Sequence, residues 1–242
     1  MKHKIQELKN LIQQSKKIVF FGGAGVSTES GIPDFRSADG LYNTKDVQFE
    51  QYEPEYLLSH SCLMNEPAVF YEFYRQKLDC RNVMPNITHY KLAEWEDNGK
   101  DITVVTQNID GLHQKAGSHK VYEIHGTTMK NYCSRCGVPY HSNYIFDTKY
   151  DVPKCECGGF IRPAVTLYEE QLPEEAWDGA HYAIYDADLL IVAGTSMSVY
   201  PAANLVHMAQ RRCKIVVINR DLVPCKADLV IQANLGEVFS QL

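Results

Sequence analysis

Six short runs of apolar, β-prone residues recur along the chain and alternate with segments of helical periodicity. The runs are Ile18–Phe21, Ile102–Val105, Val121–Ile124, Leu189–Ala193, Ile215–Ile218 and Leu229–Ile231. Helical spacing precedes the first run, at Ile5, Leu8, Leu11 and Ile12. Further helix-like segments cover 67–80, 87–98 and 201–211. Strands that alternate with helices predict an α/β fold built on a Rossmann-like, doubly wound parallel sheet.

Two stretches interrupt this alternation, and we interpret both as insertions on the sheet. Residues 36–90 are rich in tyrosine and mostly helical or irregular, whereas residues 127–163 contain four clustered cysteines. The remaining segments, 1–35, 91–126 and 164–242, then form one discontinuous Rossmann-like domain. The sequence thus predicts a doubly wound sheet with a helical insertion and a smaller inserted module.

The clustered cysteines form two closely spaced pairs, Cys133 with Cys136 and Cys155 with Cys157. Thiolate pairs on tight turns are typical Zn²⁺ ligands, and four sulfurs fill the tetrahedral coordination of the metal. We therefore predict one structural zinc ion in the inserted module. Four unrelated buried cysteines, or a redox dithiol, are the alternative interpretations. The other cysteines are scattered, which favours metal binding in a reducing compartment over a disulfide framework.

The overall composition indicates an ordinary soluble globular protein, with 45% hydrophobic and 22% charged residues. The net charge of −6 provides no general attraction to nucleic acids or anionic membranes. Neither a signal-peptide core nor an apolar run of membrane-spanning length is evident. We therefore expect a cytoplasmic protein without nucleic-acid or membrane partners. The sequence does not fix the oligomeric state, and a monomer is the working expectation.

A glycine-rich stretch, Gly22–Arg36, directly follows the first apolar run. Glycines after a strand let the backbone approach a pyrophosphate closely, and a helix N-terminus attracts its charge. Thr28 stands where the usual dinucleotide pattern has its third glycine, and no acidic residue ends a strand about twenty positions later. The stretch alone is therefore a weak dinucleotide signal. Its tail, Pro33–Arg36, is polar and aromatic where a crossover helix would pack apolar side chains.

Together with later motifs, this stretch resembles the sirtuin (Sir2-like) family, the NAD-dependent protein lysine deacylases. The motifs follow in the family's order over nearly the whole chain. They are Thr106–His113, His125-Gly126, the four cysteines, Gly194–Ser196 and Ile218-Asn219. Several independent motifs in one order are far more specific than any one of them. The resemblance implies a bacterial-type protein lysine deacetylase that consumes NAD and releases nicotinamide, acyl-ADP-ribose and free lysine. Its substrates would be acyl-lysine proteins or peptides.

The candidate catalytic residues follow two of the predicted strands. His125, and likewise Asn108 and Asp110, lie at carboxyl ends of strands, where open α/β sheets bind their ligands. By itself a lone histidine is more often structural, and Asn and Asp also suit turns. The resemblance implies that His125 is the base that deprotonates a ribose hydroxyl. It further implies that Asn108 and Asp110 orient the ribose, a water molecule and nicotinamide.

The resemblance also implies NAD contacts along the same edge of the sheet. Phe35 would shield the reactive ribose from premature hydrolysis, and Gln107 would bind a ribose hydroxyl. The other implied contacts are Gly23, Ala24, Gly25, Asp34, Arg36, Asn108, Asp110, Gly194, Thr195, Ser196 and Asn219. His113 completes its motif, and we interpret it as structural.

The segment after the cysteine module corresponds to the part of the family that pairs with an extended substrate. Such pairing binds peptides mainly through main-chain hydrogen bonds. Val165 and Tyr168 are the candidate groove residues in this segment. Glu169 replaces the family's glycine, which adds a side chain and a negative charge where substrate backbone is expected.

The acyl preference is predicted from Tyr71 and Tyr74. They occupy the positions of a Tyr/Arg pair that binds succinyl and malonyl carboxylates in some sirtuins, so we assign both to the substrate site. Because Tyr74 replaces the arginine, a buried acyl carboxylate would lack its charged partner, and we expect neutral groups such as acetyl to be preferred. An alignment shifted by one residue would bring Arg75 into play instead.

Two other functions would use the same pocket. Protein mono-ADP-ribosyl transfer exploits the same electrophilic ribose, and a non-catalytic sensor would only bind NAD. The presence of His125 and Phe35 favours deacylation over transfer. A sensor would be expected to lack Asn108, Asp110 or His125.

Overall fold

The computed structural model describes residues 1–34, 40 and 48–242, and its strands form two sheets. The strands are β1 (Lys17–Gly22), β2 (Asp101–Thr106), β3 (Val121–Glu123), β4 (Gly126–Cys133), β5 (Pro139–His141), β6 (Ile161–Val165), β7 (Leu189–Ala193), β8 (Lys214–Asn219) and β9 (Leu229–Gln232). The α-helices are α1 (Lys2–Gln14), α2 (Pro54–Leu57), α3 (His60–Asn65), α4 (Pro67–Leu78), α5 (Ile87–Asp97), α6 (Leu112–Ala116), α7 (Asn143–Phe146), α8 (Glu174–Asp186) and α9 (Leu235–Phe239). Short 3₁₀ helices cover Ala24–Val26, Thr28–Ser30 and Ala202–Met208.

The larger sheet has six strands in the order β3-β2-β1-β7-β8-β9, and every neighbouring pair is parallel. All six predicted strands are found in it. From β1 the chain first adds β2 and β3 on one side and later adds β7, β8 and β9 on the other. This reversal creates a topological switch point between β1 and β7. The last pairs in register there join Gly22 to Thr106 on one side and to Ala193 on the other. The predicted doubly wound α/β fold is confirmed.

Each face of this sheet is covered by its own apolar cluster. Along β1, Ile18 and Phe20 pack into one cluster while Val19 and Phe21 pack into the other, as the two-residue period of a strand requires. Helices α1, α5 and α9 supply the first cluster, and α8 with the 3₁₀ helix 202–208 supplies the second. Burial on both faces explains why these strands are continuous apolar runs in the sequence.

Two segments that were predicted to be α-helical form 3₁₀ helices in the structure. The segment 201–211 contains a 3₁₀ helix, and its buried residues Ala202/Leu205 and Ala203/Val206 recur every three positions, as three residues per turn requires. The glycine-rich stretch after β1 forms two 3₁₀ turns where a helix start was predicted. Gly31 then takes a left-handed conformation (φ 90°) that stops helical continuation.

The smaller sheet is antiparallel, in the order β5-β4-β6, and carries the cysteine pairs. A third apolar cluster joins it to helices α2, α3 and α4. This sheet extends from Gly126 to Val165, slightly beyond the predicted module 127–163. The division into domains itself stays a prediction.

Two buried histidines, His89 on α5 and His113 on α6, lie against each other beneath the main sheet. Their ring centroids are 4.6 Å apart, and the His113 ring also contacts Phe20 at 5.9 Å. His89 Nδ1 accepts a hydrogen bond from the backbone N–H of Asn86 (3.2 Å), which helps to cap α5. Burial lowers the pKa of His89 from 6.5 to about 4 and places that of His113 well below its ordinary value. Both rings are therefore neutral in the folded protein.

We expect this pair to make the protein acid-labile. Between pH 6.5 and about 4 the unfolded histidine is protonated while native His89 stays neutral, so protons favour the unfolded state. The free energy of unfolding should fall with decreasing pH by about 1.4 kcal/mol per unit for each histidine. His89→Gln retains a capping acceptor but cannot titrate, so it should flatten this dependence in urea titrations at several pH values. His3→Gln, the control at an exposed position, should leave the pH dependence of unfolding as it is in the wild-type protein. Equal slopes in all three proteins would contradict the assignment.

Candidate functional site

A cavity of about 1190 Å³ opens at the switch point, along the carboxyl ends of the central strands. We call it the main cavity. Its lining contains most of the residues predicted for the cofactor and the substrate, namely Gly23, Ala24, Gly25, Asp34, Gln107, Asn108, His125, Val165, Tyr168, Gly194, Thr195, Ser196 and Asn219. The fold thus brings together motifs that are up to about 200 positions apart in the sequence, because parallel strands end at one edge.

The turns after β1 and β7 pack so closely that only glycine fits at several positions. A Cβ on Gly25 would lie 2.9 Å from Cα of Gly194, and one on Gly23 would lie 2.9 Å from Cβ of Thr195. Gly194 also has a positive φ of 58°. These glycines leave the floor of the main cavity as bare backbone, which suits the close approach of a pyrophosphate. The shape of this floor therefore fits a dinucleotide.

Asn108 and Asp110 are buried at the end of β2 and are linked through Ser27. The Ser27 hydroxyl donates to Asp110 Oδ2 at 2.6 Å, and Asn108 Nδ2 donates to Ser27 Oγ at 3.0 Å. Burial raises the pKa of Asp110, against hydrogen bonds from Ser27 and Leu112 that lower it. Asp110 lines a smaller cavity of about 130 Å³ that shares Ala24 and Asn108 with the main one. Asn108 thus lies where the two cavities meet, with Asp110 on the side of the smaller cavity and His125 on the side of the main one.

His125 is oriented by the chain around it. Its Nδ1 lies 2.9 Å from the carbonyl oxygen of Gln107, which can only accept, so Nδ1 carries the hydrogen and Nε2 keeps a lone pair. Burial lowers the pKa of His125 below 6.5, against this hydrogen bond. The next residue, Gly126, has φ 75°, and a Cβ there would lie 2.1 Å from the carbonyl oxygen of Ala164. The arrangement supplies a neutral imidazole that can accept a proton.

Gln107 and Thr195 connect the two halves of the sheet at the cavity edge. Gln107 Nε2 donates to Thr195 Oγ1 at 3.0 Å, and the Gln107 backbone N–H donates to the Gly22 carbonyl at 3.0 Å. The amide oxygen of Gln107 remains an acceptor for a bound hydroxyl group. Gln107 therefore ties β2 to β7 and orients His125 at the same time.

The predicted substrate residues divide into two groups. Val165 and the half-exposed Tyr168 line the main cavity, in a segment (residues 165–170) that we call the groove segment. Tyr71 and Tyr74 do not line it. Both are fully buried between α4 and the small sheet, where Tyr71 donates to the Ile161 carbonyl and Tyr74 stacks on Phe146. This placement corrects the expectation that they line the substrate site, because α4 turns that face toward the core.

Arg75 is also directed away from the main cavity. Its Nε donates to the carbonyl of Ile145 at 2.9 Å, and its Nη2 donates to those of Tyr150 (2.7 Å) and Asp151 (3.1 Å). A shift of the alignment by one residue therefore does not supply a guanidinium to the substrate. Arg75 instead fastens α4 to the cysteine module.

The four cysteine sulfurs converge, with all four lying within 4.8 Å of one another. The Cys133–Cys157 and Cys136–Cys155 sulfur distances are 3.4 and 3.7 Å. A tetrahedral ion with Zn–S bonds of about 2.3 Å requires sulfurs about 3.8 Å apart, so the cluster fits zinc. A Cβ on Gly159 would lie 2.7 Å from the sulfur of Cys133, which explains the glycine beside the second pair. With four protein ligands, the metal has a structural role.

Several site residues escaped the sequence analysis, and two predicted ones cannot be placed. Phe35 and Arg36 lie outside the described residues. Asn234, just after β9, lines the main cavity, and the same carboxyl-end argument that selected Asn219 could have found it. Ser27 carried no such signal, because its role depends on contacts with residues more than 80 positions away.

Residues 23–201 match the model of the Sir2 family. The chain therefore belongs to the Sir2 family, as its motifs predicted. A protein of Clostridium acetobutylicum named NAD-dependent protein deacetylase is 49% identical over 239 residues, which cover 98% of this chain and 96% of that protein.

Solved structures agree over the same length. A Sir2 structure with a deacetylated p53 peptide and 3′-O-acetyl ADP-ribose has a TM-score of 0.89 at 34% identity. A Sir2 structure with a p53 peptide and NAD⁺ has a TM-score of 0.85 at 35% identity. Each likeness covers 98% of this chain and 96% of the other. No helix in the described part of the chain is long and apolar enough to cross a membrane.

Removal of one metal ligand should unfold the cysteine module and release the metal. We expect Cys136→Ser to lower the zinc content, measured by atomic emission, from one ion per chain toward zero. Because metal binding is coupled to folding, the melting temperature should fall as well. Cys225→Ser, a thiol outside the cluster, is the control and should retain its zinc. A Cys136→Ser protein with a full complement of zinc would contradict the four-cysteine site.

Proposed function

We propose that this chain is an NAD-dependent protein deacetylase, which transfers the acyl group of an acyl-lysine to ADP-ribose and releases nicotinamide and free lysine. The observation that carries the proposal is the position of His125. Its imidazole lies in the main cavity between the glycine-lined cofactor floor and the groove segment, with Nε2 available as a base. The similar proteins named above support the same reaction.

Bound NAD supplies a ribose carbon that becomes electrophilic when nicotinamide leaves. The protein binds and orients the reactants around it. Asn108 gives its amide N–H to Ser27, which leaves its amide oxygen to accept from a ribose hydroxyl or a water molecule. Gln107 accepts from a second hydroxyl, and His125 Nε2 removes a proton from the hydroxyl that must become nucleophilic. Gln107 accounts for the tautomer of His125, since its carbonyl holds the hydrogen on Nδ1.

His125→Ala should abolish deacylation while the fold is retained. General base catalysis contributes about 10²–10⁴-fold, so the rate of acetyl-peptide turnover should fall by that factor. The assay is mass spectrometry of an acetyl-lysine peptide with NAD, following nicotinamide and acyl-ADP-ribose in equal amounts. His119→Ala, an exposed histidine outside the site, should be fully active. A fully active His125→Ala protein would refute the assignment. ADP-ribose added to protein without peptide turnover would indicate a transferase.

The same base fixes the pH dependence. Neutral His125 is the active form, and its pKa is lowered by burial, so kcat/KM should decline on the acid side with a midpoint below pH 6.5. A midpoint above 6.5 would indicate another base or a different environment for His125.

We further propose that neutral acyl groups are preferred to succinyl. Tyr74 is buried, the Arg75 guanidinium is bound to three carbonyls, and the guanidinium among the described residues of the main cavity belongs to Arg220, after β8. The Arg220 guanidinium is bonded to the carboxylate of Asp221, so none of these three residues offers an unpaired guanidinium to a buried acyl carboxylate. Support from these contacts is independent of the exact alignment of residues 71–75.

Succinyl-lysine peptides should react at least about tenfold more slowly than acetyl-lysine peptides, because an unpaired buried charge costs more than the 1.4 kcal/mol of one decade. The measurement is kcat/KM on matched peptides. A succinamoyl-lysine peptide, which has the size of succinyl without its charge, separates charge from volume and should react faster than succinyl. If succinyl is turned over fastest, the proposal is wrong.

A further inference from the structure

The groove segment is held on both sides by backbone hydrogen bonds. Thr166 N–H donates to the carbonyl of His125 at 2.9 Å, which ties the segment to the catalytic residue. Tyr168 N–H donates to the Leu58 carbonyl at 3.0 Å, and His60 N–H donates to the Tyr168 carbonyl at 3.0 Å. The position of the segment therefore depends on its attachment to α3 and the residues before it.

Glu169 has the backbone conformation of a glycine. Its φ of 75° lies in the left-handed region, which carries an energetic penalty for any residue with a Cβ. Its sequence position, opposite the expected substrate backbone, suggested a side chain that obstructs or repels the peptide. A residue held in this conformation requires compensating contacts, and the structure provides them.

The carboxylate of Glu169 is bonded to the first turn of α3, and the residue also lines the main cavity. Its Oε2 accepts from the backbone N–H of Ser61 at 2.9 Å and from the Ser61 hydroxyl at 2.7 Å. Hydrogen bonds to an ionised group are stronger than neutral ones, so one oxygen with two donors forms a firm attachment. We call this contact the Glu169–Ser61 latch.

The neighbouring Glu170 fixes the other side of the segment. It forms a two-pronged ion pair with Arg162 of β6, at 2.6 and 2.9 Å, and accepts from the Leu167 N–H at 3.0 Å. Successive carboxylates thus bind the segment to β6 and to α3. The attachment to β6 would remain without Glu169, whereas the attachment to α3 would keep, among its side-chain contacts, the one between Glu170 Oε1 and His60 Nδ1 (3.0 Å).

We propose that Glu169 is a positioning residue whose latch to Ser61 pre-forms the edge of the groove on which the acyl-lysine peptide lies. This inference rests on the proposed function. A preorganised segment avoids an ordering cost when the peptide binds, so the latch acts on peptide affinity and takes no part in bond making. The conformation that a glycine would adopt freely is here imposed by a charged contact.

The test compares steady-state kinetics of Glu169→Gly, Glu169→Gln, Ser61→Ala and the double variant Glu169→Gln/Ser61→Ala. Loss of the latch should raise KM for the acetyl peptide by about three- to tenfold, the range expected for one or two hydrogen bonds. The values of kcat and of KM for NAD should stay within about twofold. Glu169→Gln keeps an acceptor oxygen and should show a smaller effect than Glu169→Gly. The double variant should show less than the sum of the two single effects, since both changes weaken the same contact, of which the backbone N–H bond of residue 61 remains.

Glu175→Gln, an exposed carboxylate at the start of α8 and outside the main cavity, is the control for the loss of one negative charge and should leave KM unchanged. A lower peptide KM in Glu169→Gly would show that the side chain obstructs the groove, and an unchanged KM would show that it has no role there. Additive effects in the double variant, or a parallel rise in KM for NAD with a lower melting temperature, would likewise overturn the proposal. Wild-type protein without NAD-dependent deacetylation would refute the proposed function itself, which separates the two failures.

Discussion

The close contact between the turns after β1 and β7 is the constraint on which the site depends. The Gly25 N–H donates to the Gly194 carbonyl at 2.8 Å, and a Cβ on Gly194 would lie 2.6 Å from the backbone nitrogen of Val26. Side chains at these positions would push the two strand ends apart. Because β1 and β7 are the neighbouring strands at the switch point, this contact lies at the centre of the cofactor floor. The same glycines that close the sheet edge therefore create the exposed backbone that a dinucleotide needs.

Polar side chains above this floor are held by one another. His125 bonds to the backbone of Gln107, Gln107 to Thr195, and Asn108 through Ser27 to Asp110. Each of these polar residues thus has a hydrogen-bond partner, which offsets its loss of hydration. These bonds use only some of the donors and acceptors of each residue. The proposed reaction uses the acceptors that remain, which are the amide oxygens of Gln107 and Asn108 and the Nε2 of His125.

The sequence was sufficient for the sheet and much of the site because both follow simple rules. Strands buried on both faces must be apolar throughout, and their carboxyl ends collect the ligand-binding residues, as Gln107, Asn108 and Asn219 illustrate. Helix α8 was not predicted, because Gly179 in its middle weakens the helical signal of the sequence. That glycine is required, since a Cβ would lie 2.2 Å from the Tyr122 ring. Such a requirement is set by a partner distant in sequence, so no local pattern contains it.

The errors concern side chains whose direction depends on tertiary contacts. Tyr71 and Tyr74 share a helical face, but the sequence cannot say whether that face covers the substrate or the core. Glu169 lines the main cavity as expected from its position, but its left-handed backbone and the bonds of its carboxylate to Ser61 depend on tertiary contacts. In both cases the contacts made by the fold decide the direction of the side chain.

The cysteine cluster and the proposed catalytic residue His125 lie at opposite ends of one pair of strands. In the β4–β6 ladder, Cys133 pairs with Ile161 at one end, and Gly126, directly after His125, pairs with Val165 at the other. The register shifts between Thr127 and Asn131, so the intervening stretch is irregular and does not by itself fix how the two ends align. A metal that holds Cys133 to Cys157 near the start of β6 therefore helps to set the register that places Val165 beside His125. Zinc can be necessary for activity in this way while its coordination shell stays closed to the reactants.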